Sequence, residues 1–94
     1  MAGILQRLRQ RVMDRAYYLS THAEDEMRDD ALERNDVERA ILKGKIEKRL
    51  TDDPRGTRYR IEGPAHDGRN IHVICRLDEN DELRIVTVYA LEEE

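Results

Sequence analysis

The sequence predicts an α+β fold in which N-terminal helices precede a four-stranded antiparallel sheet. Three observations carry that expectation. Apolar residues recur at helical spacing as far as Gly44, and from Lys45 onward they alternate, which is the period of a strand. The alternating runs are joined by short turn-rich loops, which connect antiparallel neighbours. Ninety-four residues make one domain, 1–94, and are too few for two ordinary ones. With no Phe, no Trp and four Tyr, its core must be aliphatic.

Ile4, Leu5, Leu8 and Val12, continued by Tyr18 or Leu19, form a helical stripe with Arg7, Arg9 and Arg11 opposite, so a helix is expected over 4–18. Thr21 followed by Glu24 is a capping-box pattern that starts a second helix at 22–31, with Glu24, Asp25 and Glu26 suited to its positive end. Asn35 and Glu38 repeat the pattern. Val37, Ala40 and Ile41 then form a stripe, and Gly44 sits where a helix-ending glycine belongs, giving a helix at 36–43.

The sheet is expected within 45–91. Lys45 to Leu50 reads as a charged edge strand, and Thr51 to Gly56 supplies turn chemistry. Thr57 to Gly63 resumes alternation and Pro64 ends it, His66-Asp67-Gly68 is a turn, and Asn70 to Leu77 is apolar on both faces apart from His72, as a central strand is. Asp78 to Asp81 makes a hairpin loop into a last strand, Glu82 to Leu91. Glu92, Glu93 and Glu94 are expected to fray.

A net charge of −4 and an isoelectric point near 5.4 argue against a chain that works mainly by sequence-independent attraction to phosphates. Scarce aromatics remove the stacking platform of a generic single-strand binder. The total conceals a polarity: residues 1–19 carry +3, 20–38 carry −6, 43–69 carry +3 and 70–94 carry −5. A lone Cys75 permits no internal disulfide and no zinc knuckle, which suits a reducing, cytoplasmic setting. Arginines interrupt the apolar residues of the N-terminus, so neither a signal peptide nor a membrane span is expected.

His22, His66 and His72 are the side chains whose unperturbed titration lies near neutrality. His72 in a central strand is either a structural histidine satisfied inside the sheet or a site residue facing a cleft. His22 opens the second helix, whose dipole favours its neutral, base-competent form, and His66 lies in a solvated turn. No metal site is expected, since His72 and Cys75 point to opposite faces of a strand and His22 with Glu26 supplies only two ligands. Cys75, in apolar surroundings, reads as a small hydrophobe. There is no phosphate-cradling glycine loop, nucleophile elbow or dinucleotide fingerprint, so no cofactor is implied. Alternation puts Arg58, Arg60 and Glu62 on one side of their strand, with His72 and Tyr89 on strands a meander sets alongside. Guanidinium groups, an imidazole and a phenol on one face can bind a phosphodiester and move protons without a metal, although a solvated Arg-rich face has the same pattern.

Four spaced blocks go further: Ser20-x-His22-Ala23-x-x-x-Met27, Asp36-Val37-Glu38-x-Ala40-Ile41-x-x-Gly44, Asp67-Gly68-Arg69-x-Ile71-His72-Val73 and Val86-Thr87-Val88-Tyr89. Over about residues 17–91 the chain resembles the small prokaryotic proteins grouped as domain-of-unknown-function family 4258. That resemblance implies a fold similar to the RelE- and MqsR-type toxins, ribonucleases of toxin–antitoxin pairs, and a zinc-ribbon antitoxin encoded alongside. The family's recurring positions fall on His22, Ala23, Met27, Gly44, Gly68, His72, Thr87 and Tyr89. Where the family commonly carries Arg on either side of the methionine, this chain has Glu26 and Asp30, which remove two phosphate-binding candidates.

The function these readings imply is metal-independent cleavage of RNA, such as mRNA, by its own 2′-hydroxyl. His22 and His72 would be base and acid, Arg58 and Arg60 would bind phosphate, and Tyr89 would orient the phosphate or donate a proton. The alternative is a non-catalytic module that docks an antitoxin or a second copy of itself through the sheet or the edge strand near residue 46.

Overall fold

The first helix, α1 (Ile4–Met13), stops short of the expected Tyr18 because Arg15 turns the chain. Arg15 adopts a left-handed φ of 57°, and the N–H groups of Arg15 and Ala16 close back onto the carbonyls of Val12 and Arg11. The apolar residues expected to continue the helix instead form a short strand, β1 (Tyr17–Leu19), with Tyr17 buried and Tyr18 turned outward. The computed structural model describes residues 3–92, so the fraying expected of Glu93 and Glu94 lies outside it.

Helix α2 (Thr21–Asp29) is capped by Ser20 rather than by Thr21: the Ser20 hydroxyl oxygen accepts from the Ala23 N–H, and its O–H donates to the Val86 carbonyl. Helix α3 (Arg34–Lys43) starts two residues before the expected position, with Glu33 and Asp36 forming the reciprocal cap expected of Asn35 and Glu38. Asp36 is the buried charged residue of the core, and its second oxygen accepts from the His66 N–H. Arginines finish two of these helices, Arg9 donating to the carbonyls of Ile41 and Gly44, and Arg69 to those of Asp30 and Ala31.

Four further strands follow, β2 (Lys45–Leu50), β3 (Arg58–Pro64), β4 (Asn70–Leu77) and β5 (Leu83–Ala90). They form the expected meander, but the sheet has five strands in the order β1-β5-β4-β3-β2 and is mixed, because β1 runs parallel to β5. The four-stranded, wholly antiparallel expectation is corrected on that point: three apolar residues that fit a helical stripe also fit the free edge of β5. Beyond the end of β1, α2 takes over that edge, with the carboxylates of Glu26 and Asp30 accepting from the N–H groups of Val88 and Ala90.

All three helices lie on one face of the sheet, where Leu8, Met27, Ile41, Ile61, Val73 and Ile85 belong to one core. Full burial of each such side chain stabilises the fold by roughly 1.5–3 kcal/mol. Helix α3 sits directly on β3. A Cβ on Gly63 would stand 2.3 Å from the Ala40 carbonyl oxygen, and one on Gly44 would stand 2.3 Å from that of Glu62. Gly44 has extended backbone, so it is required for this close approach rather than for a left-handed cap.

The other face of the sheet carries no helix. Its side chains follow from alternation: Arg58, Arg60 and Glu62 from β3, and His72, Ile74 and Arg76 from β4. On β5 the register with β4 shifts by one at Val86, which has no partner between the pairs Cys75–Ile85 and Ile74–Thr87. The bulge exchanges the faces of everything after it. Ile85 and Val88 both enter the core, and Thr87 and Tyr89 emerge on the open face beside His72.

Candidate functional site

His72 is held at both ring nitrogens. Its Nδ1 lies 2.9 Å from the Tyr89 hydroxyl, and its Nε2 lies 3.1 Å from a Glu62 carboxylate oxygen. The three side chains come from adjacent strands in direct register, Glu62 opposite His72 and His72 opposite Tyr89. An ionised carboxylate only accepts, so the tautomer that satisfies this network carries its hydrogen on Nε2, and Nδ1 accepts from the phenol. The rings meet edge to face, and the His72 side chain is 12% exposed.

Arg60 borders this cluster. It pairs with Glu47 of β2, and that hydrogen bond is the first cause holding the guanidinium above its ordinary value, with Tyr89 contributing less. The same contact holds the Glu47 carboxyl below the usual carboxylate range. Glu62, Arg60 and Glu47 therefore surround His72 and Tyr89 with alternating charge, a setting in which protons can be exchanged and a developing negative charge met.

Of the five residues singled out in the sequence, His72, Tyr89 and Arg60 are brought together, while Arg58 and His22 are paired with other groups. Arg58 is at the opposite end of β3, beside Asp52 and Asp53 of the preceding loop. His22 stands on α2 against the outer edge of β5, 67% exposed and 3.1 Å from Glu26, and it shares no hydrogen-bond partner with His72. The carboxylates of Glu26 and Asp30 accept from backbone N–H groups at the edge of β5, which gives both acids a role in the fold. His66 is exposed, and its backbone, not its ring, is what the fold uses.

Glu62 acquires a role that alternation alone did not assign, although the same alternation had already placed it on the correct face. Among the described residues, no group of three or more His, Cys, Asp or Glu is arranged to hold a metal ion. Cys75 is fully buried, and desolvation pushes its thiol up to about 12, as expected of a packing residue. Among the described residues, no helix is long and apolar enough to cross a membrane.

Residues 19–90 match the family model described as Domain of unknown function (DUF4258). The chain belongs to that family. The DUF4258 segment contains Glu62, His72 and Tyr89 together with Glu26 and Asp30, while α1 and most of β1 precede it. No curated protein and no solved structure matches this DUF4258 chain significantly.

Proposed function

We propose that the protein is a metal-independent endoribonuclease of the toxin–antitoxin kind, acting on the open sheet face. The observation that carries this reading is the Tyr89–His72–Glu62 relay, with Arg60 beside it. The fold likeness to RelE- and MqsR-type toxins that the family resemblance implies favours the same choice.

In this reading the 2′-oxygen of RNA attacks the adjacent phosphorus and the bond to the 5′-oxygen breaks. Tyr89 takes the 2′-hydroxyl proton while its own proton passes to His72 Nδ1, and Glu62 stabilises the imidazolium that results. The Arg60 guanidinium meets the negative charge on the phosphorane, and water supplies the proton to the departing 5′-oxygen. The products are a 2′,3′-cyclic phosphate and a free 5′-hydroxyl. His22 is left outside the chemistry.

The test is incubation of the purified chain with RNA in chelator. Cleavage leaving cyclic phosphate ends, abolished by a 2′-deoxy nucleotide at the scissile position and by Tyr89→Phe, supports the reading; intact RNA, or equal cleavage by the variant, overturns it.

A second reading rests on β2, which among the described residues pairs with β3 alone and so presents an outer edge. Lys45, Lys48 and Arg49 on that strand suit an acidic partner segment, such as a stretch of a zinc-ribbon antitoxin or a second copy of the chain, added as a further strand. Co-purification of the neighbouring gene product without any ribonuclease activity would favour it.

A further inference from the structure

A cleft of about 240 Å³ opens on the same face, at the end of the sheet away from His72, between β1 and the loop that precedes β3. Four arginines line it, Arg55, Arg58, Arg76 and Arg84, with Asp53 as the acid among the lining residues. Arg76 and Arg84 are directly paired across β4 and β5, and Arg58 falls opposite Arg76 one step beyond the Tyr59–Cys75 pair. Three arginines thus cross three adjacent strands in a row. Strands lie roughly 4.8 Å apart, and like charges set opposite one another in a sheet destabilise it.

The acids nearby offset the row at its two ends and leave its middle bare. Arg58 lies beside Asp52 and Asp53, the latter shared with Arg55, and Arg84 pairs with Asp78, while among the described residues Arg76 has no acidic partner. The Arg58 Nε is buried without a hydrogen bond, its nearest carboxylate oxygen being 3.4 Å away without hydrogen-bond geometry. Tyr18, half exposed, forms the rim, with the Arg84 guanidinium 4.5 Å from its ring centre.

From this arrangement we infer that the cleft binds a phosphate group of a single-stranded nucleotide chain, with the adjoining base against Tyr18. The cleft is smaller than the 300–1,000 Å³ typical of pockets that enclose a drug-sized molecule, so it holds a phosphate with its sugar and leaves the base at the rim. Arginine forks match phosphate oxygens, and an anion here relieves the repulsion that the row stores. Arg76 lies four positions along β4 from His72, roughly 13 Å, so a chain anchored in the cleft extends over the face to reach the relay. The assignment of the anchor to RNA rests on the ribonuclease reading; the affinity for a chain phosphate does not.

The experiment uses a fluorescent 2′-O-methyl hexaribonucleotide, which cannot be cleaved by 2′-hydroxyl attack, titrated into the wild type and into Arg76→Gln, Arg84→Gln and the double variant. Each single variant is expected to bind about tenfold more weakly, with the dependence of log K on log salt reduced by about 0.7 for each phosphate no longer neutralised. Melting in parallel shows that the variants fold: Arg76→Gln should melt no lower than the wild type, and inorganic phosphate should raise the wild-type midpoint more than that of the double variant. Unchanged affinity and salt dependence in the double variant overturn the inference, as does a mononucleotide that binds as tightly as the hexamer. Intact binding with no cleavage of ordinary RNA would overturn the catalytic reading alone.

Discussion

At the scale of single residues, the site is a matter of which atom holds a hydrogen. With Nε2 committed to Glu62, His72 has one free lone pair, and the Tyr89 hydroxyl fills it. Tyr89→Phe and His72→Ala are each expected to lower single-turnover cleavage of RNA roughly 10²–10⁴-fold, measured at saturating enzyme. Glu62→Gln should cost less than either, because the amide oxygen still accepts from Nε2 but cannot balance an imidazolium; a loss equal to that of His72→Ala would refute the Nε2–H tautomer. Burial, and then its hydrogen bond to Glu38, pushes the Tyr17 phenol up to about 12. The raised value means that its contribution to stability is complete below the ordinary value of 10.0 and is lost as pH rises from there through about 12. Absorbance titration should therefore show a late phenol, and Glu38→Gln should move that phase to lower pH. Coincident titration of all four tyrosines would contradict this.

At the scale of elements, β2, β3 and β4 were legible in the sequence because alternation over six to eight residues between strong turn signals has few other solutions. The face shared by Arg60, Glu62 and His72 was legible for the same reason. Tyr89 was named with them because a meander sets its strand alongside His72, but its facing was not legible, since alternation counted along β5 puts it in the core with Ile85, and only the unpaired Val86 brings it out. A bulge leaves little trace in composition, because Val is at home in any strand. Arg76 and Arg84 were hidden differently, inside a segment whose charge sums to −5, because a sum along the chain does not register pairing across strands. Deleting Val86 should restore plain alternation, bury Tyr89 and abolish the edge-to-face ring contact, read as loss of cleavage and of the His72–Tyr89 coupling by NMR. Preserved activity in that deletion would mean that the bulge does not position the site. Ser20→Ala removes a cap and a bond to the bulge at once, so a loss near the upper end of about 0.5–2 kcal/mol is expected in urea unfolding.

At the scale of the whole molecule, loops and edges are tied down by carboxylates. Asp53, Asp67 and Asp78 all lie below the ordinary aspartate value of 3.8, each first because of a backbone N–H, from Arg55, Arg69 and Glu82 respectively. A depressed folded value gives stability that is present above 3.8 and lost as pH falls below it through the folded values. Urea midpoints should thus be level from neutrality to about pH 5 and fall steeply below about pH 4; Asp78→Asn should lower the neutral plateau and flatten the acid limb. Equal midpoints at neutrality and in acid well below the aspartate range would refute it. The contact between α3 and β3 has a wider reach. Ala40 rests on Gly63 with no room for one methyl group, and Gly63 adjoins Glu62, whose side chain fixes His72 on the far face. The rear of the molecule is thereby part of the site's alignment. On the ribonuclease reading, Gly63→Ala, which would force α3 away from β3, should therefore weaken cleavage from a position that no substrate touches.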